Sequence, residues 1–277
     1  MIKNIIVIYN KMEINYTTSG IPKIIHQTWK TKDVPDHWKK SKDEWQRLHP
    51  DWLYILWTDE DIRNHIKDHH PDFLELHDNY EYNIQRADMI RYFILYDFGG
   101  VYCDLDLYPT ENIEKYLTNS SDYFVYSANA NCFTNALMIS TGNSPIFLEI
   151  FKELKTPLPW WAIGKHLKVM KSTGPLMLDK TLKDTSYSYT ILPKSKFNPY
   201  SVTENFNIHK EGSVIRTLEG SSWHSFDSTF YNFVMKYNTF FILFGIISLL
   251  LIICGLIYYI LKYKKCRESK VCIMPSK

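Results

Sequence analysis

The chain has 277 residues, 45% of them hydrophobic and 16% aromatic, which suits one large or two small folded domains and excludes a disordered chain. Its net charge of +2 is uneven: from Lys262 onward six basic residues face only Glu268, a net of +5, which leaves −3 for residues 1–261. A mildly acidic body excludes broad nucleic-acid binding.

Residues 1–20 form an N-terminal segment whose apolar run, Ile5–Tyr9, is too short for a secretory signal. IPKIIHQTW (21–29) is a short apolar run with a polar, aromatic tip, and predicts a first strand at 23–26. Trp38, Trp45 and Leu48 at helical spacing predict a helix over 35–48. WLYILWT (52–58) reads as a second strand, and 59–69 as a helix capped by Thr58 or Asp59. Strand, helix, strand, helix implies an α/β fold with a mainly parallel sheet. Further strands are expected at 123–127 and 136–140, and a helix opened by Pro145 over 145–155. From 156 to 236 the chain reads as short elements and long loops.

Phe240–Leu261 is 22 residues without a charge, long enough to cross a bilayer as a helix. Lys236 before it, and Tyr258, Tyr259, Tyr263 and KYKK at its end, suit interface anchors. The basic tail, 262–277, favours a cytoplasmic end and a lumenal body of the Golgi or endoplasmic-reticulum type; a tail-anchored body facing the cytosol is the alternative. Sequons at Asn15 and Asn119 do not decide between them. The five cysteines form neither a disulfide framework nor a zinc spacing. Cys266 beside the span suits palmitoylation or an inert thiol equally.

The chemistry concentrates in NIQRADMIRYFILYDFGG (83–100) and the GGVYCDLDLYP (99–109) that overlaps its end. At 100° per residue, Ala87, Ile90, Ile94 and Phe98 form one apolar stripe. Arg91 projects into that stripe, Asp88 lies at its border, and Arg86 points nearly opposite. A buried charge without a partner is costly. Asp88 and Arg91 are therefore either an internal i,i+3 ion pair or two groups facing a cleft that takes a polar, anionic ligand. Gly99-Gly100 ends the helix, and Val101-Tyr102-Cys103 begins a strand. Asp104 and Asp106, two apart in an extended segment, then point the same way at the strand's carboxyl end, where open α/β sheets bind ligands. Two such carboxylates suit Mg²⁺ or Mn²⁺ on a diphosphate.

IPKIIHQTW together with QRADMIRYFILYDFGGVYCDLDL resembles the DXD-containing sugar-transfer region of glycosyltransferase family 32. The match is strongest over 21–110, with weaker echoes at TGP (173–175) and SSWH (221–224). The resemblance implies a GT-A domain over 21–236. It implies that Asp104 and Asp106 hold the metal, that Asp88 binds donor-sugar hydroxyls and that Arg91 reaches the sugar or the phosphate. It implies that Trp29 stacks on the base, and that His224, or less strongly Glu219, completes the metal shell or contacts the diphosphate. It also implies GDP-mannose as the favoured donor, with UDP-glucose and UDP-galactose as alternatives, and retention at the anomeric carbon. No covalent nucleophile stands out, so front-face displacement is the expected course. A C-terminal span on a small catalytic body is more like the family's inositolphosphoceramide mannosyltransferases than its N-glycan enzyme, and suits a membrane lipid or glycan acceptor. Two rivals remain. One is a non-catalytic glycan-binding or adaptor protein on a transferase fold. The other is a haloacid-dehalogenase-type phosphohydrolase, which lacks a second acidic cluster here and leaves R-x-D-x-x-R without a role.

Overall fold

The computed structural model describes residues 14–128, 131–198, 210–219, 227–229, 233 and 237–271. Two compact units, 1–223 and 224–277, divide the chain.

In the first unit the expected alternation is present. Strand β1 (Ile24–Thr28) leads to helix α1 (Asp36–Leu48), β2 (Leu53–Trp57) and α2 (Asp59–His69). Thr58 caps α2 by accepting from Asp61 N–H, while the Asp61 carboxylate accepts from Thr58 N–H. A short helix α3 (Leu74–Asn79) precedes α4 (Asn83–Phe98), β3 (Gly100–Cys103) and β4 (Leu107–Pro109). Then come β5 (Tyr123–Tyr126), β6 (Phe133–Ser140), α5 (Pro145–Leu154), α6 (Lys165–Ser172) and α7 (Pro175–Asp184). The unit closes with β7 (Thr190–Leu192), a one-turn helix α8 (Lys194–Phe197) and β8 (Ile215–Thr217). Two helices, α6 and α7, thus occupy part of a region expected to be mostly loop. Pro175 starts α7, where its missing N–H costs nothing.

The main sheet has the order β2-β1-β3-β6-β5-β7. All its strands run the same way except β6, which is antiparallel to both β3 and β5. The sheet is therefore mainly parallel, as expected, with one reversed strand near its centre. Successive side chains serve opposite faces. Ile24, Tyr102, Phe124 and Met138 join the core formed with α2, α4, α5 and α7. Their neighbours Ile25, Val101, Cys103, Val125, Leu137 and Ile139 join a second core with Trp45, Trp52 and Phe197. Covered faces on both sides explain why these strands are apolar throughout rather than alternating.

Helix α4 departs from its expected pattern. Met89 through Leu95 are all buried, so it is a central helix and not one with a single apolar stripe. Arg86 does not simply face solvent. Its guanidinium donates to the carbonyls of His77, Asp78 and Tyr80 and so closes the end of α3.

The α4–β3 turn is fixed by close approach. Gly99 and Gly100 both have positive φ, +64° and +85°. A Cβ on Gly100 would sit 2.5 Å from the Ile24 carbonyl oxygen of β1. Trp57 Nε1–H donates to His26 Nδ1 at 3.2 Å, so His26 carries its proton on Nε2 and donates it to the Gly99 carbonyl at 3.0 Å. Burial holds the His26 imidazole neutral by pulling its pKa down to about 3. The Gly100→Ala variant should lose about 3 kcal/mol of stability, because backbone strain and collision act together; an unchanged denaturant midpoint would contradict the reading of this turn.

The second unit contains helix α9 (Asn238–Val271). Its 23-residue segment Ile242–Lys264 is long and apolar enough to cross a membrane.

Candidate active site

The parallel β1–β3 pairing, with His26 opposite Tyr102, puts the carboxyl ends of both strands at one sheet edge. Trp29 follows β1 there and Asp104 follows β3, so two residues far apart in sequence share the edge where such sheets bind ligands. Trp29 stands edge-on to Trp38, ring centroids 5.1 Å apart, and is part-exposed.

Asp104 and Asp106 do not lie on an extended strand, as the sequence suggested. β3 ends at Cys103, and Leu107 N–H donates to the Asp104 carbonyl at 3.0 Å, closing a tight turn over 104–107. The turn follows from burial: Leu105 packs with Val34, Trp38 and Leu56, which pulls the chain over between the two carboxylates. The turn is tied down on several sides. Asp104 N–H donates to the Ala136 carbonyl of β6, and Leu218 N–H to the Asp106 carbonyl. Ser41 Oγ and Trp45 Nε1 both donate to the Leu107 carbonyl, which anchors α1 beside the turn.

Behind the turn lies a buried charge network. Asp88 and Arg91 are only 4% and 3% exposed. Arg91 Nη2 meets Asp88 Oδ1 at 2.7 Å, so the i,i+3 ion pair is present. Arg91 Nη1 also lies 3.2 Å from Asp104 Oδ1 and donates to the Asn135 carbonyl at 2.7 Å. The guanidinium lies over the Tyr102 ring, 4.7 Å from its centroid. Tyr102 donates its hydroxyl proton to Asp104 Oδ1 at 2.9 Å, and Thr28 Oγ1 hydrogen-bonds the same hydroxyl at 3.0 Å. One guanidinium therefore links a helix, the end of a central strand and the reversed strand β6.

The environment raises the acids. Burial pushes the Asp88 carboxyl up to about 7 against the opposing pull of Arg91. Burial and the neighbouring Asp104 push the Asp106 carboxyl well above the usual carboxylate range. Two hard oxygen donors on one turn, one of them disfavoured as an anion by the other, fit a divalent cation, which relieves that repulsion. The other Asp88 oxygen, Oδ2, is 3.4 Å from Thr173 Oγ1, and a Cβ on Gly174 would reach it at 3.4 Å. His224 lies outside the described residues. Glu219 is described at the segment's edge; its carbonyl accepts from Trp38 Nε1.

Residues 35–156 match the family described as the glycosyltransferase sugar-binding region containing the DXD motif. The chain is 32% identical over 260 residues to inositol phosphoceramide mannosyltransferase 3 of Schizosaccharomyces pombe, covering 92% of this chain and 70% of that protein. The chain belongs to this DXD glycosyltransferase family. It is also 37% identical to mannosyl phosphorylinositol ceramide synthase SUR1 of Saccharomyces cerevisiae, over 75% of this chain and 53% of that protein. With the CSH1 synthase of the same yeast it shares 35%, over 76% and 54%. The chain thus spans about half the length of the two yeast relatives. Family membership agrees with the turn that carries the two DXD aspartates after β3, and it leaves the phosphohydrolase alternative without support.

Several positioning residues around the site carried no sequence signal. Asn135 meets Arg91 through its backbone carbonyl, which any residue offers, while its side-chain Nδ2 reaches the Tyr92 hydroxyl at 3.4 Å; the pairing of β6 on β3 brings it there. Thr173 was legible as part of TGP, though not its contact with Asp88. Among the described residues a second His/Asp group, His65, His70 and Asp97, lies apart from these residues. Both imidazole Nε2 atoms stand 2.7 Å from one oxygen, Asp97 Oδ2. Burial alone would raise the Asp97 carboxyl, but the hydrogen bonds from His65 and His70 outweigh it and hold it below the usual range. We read the group as a clamp between α2 and α4.

Arg91→Ala should be severely destabilising, by about 3–5 kcal/mol, because it strands buried carboxylates without a counter-charge. A variant whose chemical-denaturation curve overlays the parent would rule out this network as a structural element.

Proposed function

We propose that this chain is a metal-dependent mannosyltransferase. In this reading it moves mannose from GDP-mannose, with retention, to a membrane-borne acceptor of the inositolphosphoceramide type. The observation that carries the reading is the fixed chain Asp88–Arg91–Asp104 behind the DXD turn. It is supported by the names of the relatives, which are mannosyltransferases of inositol phosphoceramide. The 242–264 helix would hold the chain at a membrane, with the body lumenal.

Asp104 and Asp106 would hold Mn²⁺ or Mg²⁺, which when bound supplies Lewis-acid stabilisation of the leaving diphosphate. The remaining roles belong to the chain. Asp88, held on Oδ1 by Arg91, would turn Oδ2 to the donor's sugar hydroxyls. Arg91 contributes a positive charge close to the diphosphate site and fixes the two acids around it. This makes it a positioning residue first, since its donors are already engaged with Asp88, Asp104 and Asn135. Trp29 would offer its part-exposed ring to the nucleobase. The acidic pocket favours the positive charge that develops at the anomeric carbon. His224 is proposed as a further metal or diphosphate contact.

The test uses the full-length protein in detergent, offered GDP-mannose, UDP-glucose and UDP-galactose with an inositolphosphoceramide acceptor. Nucleotide release should occur from GDP-mannose, require the divalent metal and stop with EDTA. Asp106→Ala and Asp104→Ala should each lower turnover by about 10²–10³-fold or more, with the Asp106 variant keeping the parent's thermal transition. Near-normal activity in either would show that the metal assignment is wrong. Absence of both turnover and nucleotide binding would favour a non-catalytic protein on this fold.

A further inference from the structure

The connection between α5 and α6 is a folded turn with its apolar side outward. Ala162 N–H donates to the Pro159 carbonyl at 2.9 Å and Ile163 N–H to the Trp161 carbonyl at 2.8 Å. Gly164, at φ +83°, then starts α6. Ala162 is buried and pins the turn, yet Trp160 is 90% exposed, Ile163 73% and Trp161 46%. An ordered turn that presents two tryptophans and an isoleucine to solvent is unusual for a protein surface, where large apolar groups are normally scattered singly.

Along the sequence the turn is flanked by lysines. From Lys155 to Lys171 the sequence KTPLPWWAIGKHLKVMK holds four lysines and no acidic residue. Lys171 Nζ lies 4.5 Å from the centre of the Trp161 ring, which joins cation and aromatic into one surface. Lys168 is directed to Glu81, and Lys155 lies over Phe73. Tryptophan at the headgroup level, ringed by lysine, is the composition that binds the interface of a bilayer carrying anionic lipid. A protein partner would have to supply both an apolar cleft and acidic groups. A bilayer supplies both, and this chain already carries a helix able to cross one.

We propose that the 157–163 turn is a second membrane contact. It inserts Trp160, Trp161 and Ile163 at the headgroup boundary while the neighbouring lysines bind anionic lipid phosphates. The proposal rests on the membrane reading of residues 242–264 and is independent of the donor and acceptor assigned above. Its consequence lies at the far end of α6. That helix has eight residues, about 12 Å of rise, and it leads from the turn to Thr173 and Gly174, which lie against Asp88. Docking the turn therefore brings the sugar pocket to within about one short helix of the headgroups. The span alone fixes distance along the chain; the turn fixes which part of the body meets the lipid.

The test reads the tryptophans directly. None of the eight tryptophans lies in the apolar run 240–261. Full-length protein is placed in vesicles of phosphatidylcholine and phosphatidylinositol, with and without bromine on the acyl chains, and compared with a W160F/W161F variant. Bromine should lower the parent's tryptophan emission, and the variant should lose most of that quenching. Equal emission in brominated and plain vesicles would overturn the proposal, as would quenching that persists undiminished in the variant. The readout needs no turnover, so failure of the transferase reading would leave its result unaffected.

Discussion

A guanidinium with 3% exposure constrains the whole site. Removing an arginine from water is costly, and the cost is offset only when every side of the group is satisfied. Here Asp88 and Asp104 supply charge, Asn135 a carbonyl and Tyr102 a ring face. These partners come from a helix, the end of one strand and a second, reversed strand. None of them can shift far without exposing the others to an unbalanced charge. The acids that are proposed to meet sugar and metal are thereby oriented before any ligand arrives, which is the preorganisation that electrostatic catalysis needs.

The same economy of position appears at the glycine pair. Gly100 brings β3 against β1 so closely that only a hydrogen fits beside the Ile24 carbonyl. His26, held neutral between Trp57 and Gly99, fastens the preceding carbonyl to the same strand. The result is that α4, which carries Asp88 and Arg91, and β3, which leads to Asp104, are joined at a turn fixed by close backbone approach and by the His26 ring. The side-chain network then acts across a junction that is already rigid.

Much of this was legible from residues and spacing. Thr58 before an acidic first turn marked the start of α2, and the chain order β1, α1, β2, α2 was readable because propensity and capping agreed there. The proximity of Asp88 to Arg91 followed from helical geometry. Three things were not legible. The turn over 104–107 was hidden because Asp104-Leu105-Asp106-Leu107 alternates as a strand would, and only the packing of Leu105 with Trp38 shows that the chain bends there. The full burial of α4 was hidden because Arg86, opposite the apolar stripe, suggested a solvent face until its tertiary partners were known. The involvement of β6 was hidden because its contacts to Arg91 and Asp104 come from main-chain carbonyls, which have no residue signature.

The reversed strand also has a kinetic consequence. β6 pairs with β3 across more than thirty residues of intervening chain, and the carbonyls of Asn135 and Ala136 reach Arg91 and Asp104 only once that pairing has formed. Until then Arg91 has Asp88, Asp104 and the Tyr102 ring beside it but lacks the Asn135 carbonyl. During synthesis the polypeptide must therefore extend past about residue 140 before the β6 carbonyls can complete the cluster, and that step closes a long loop. A chain arrested before β6 would hold the DXD turn against α1 alone, without the Ala136 carbonyl that fixes Asp104 N–H, so the site would be completed together with the strand that runs against the rest.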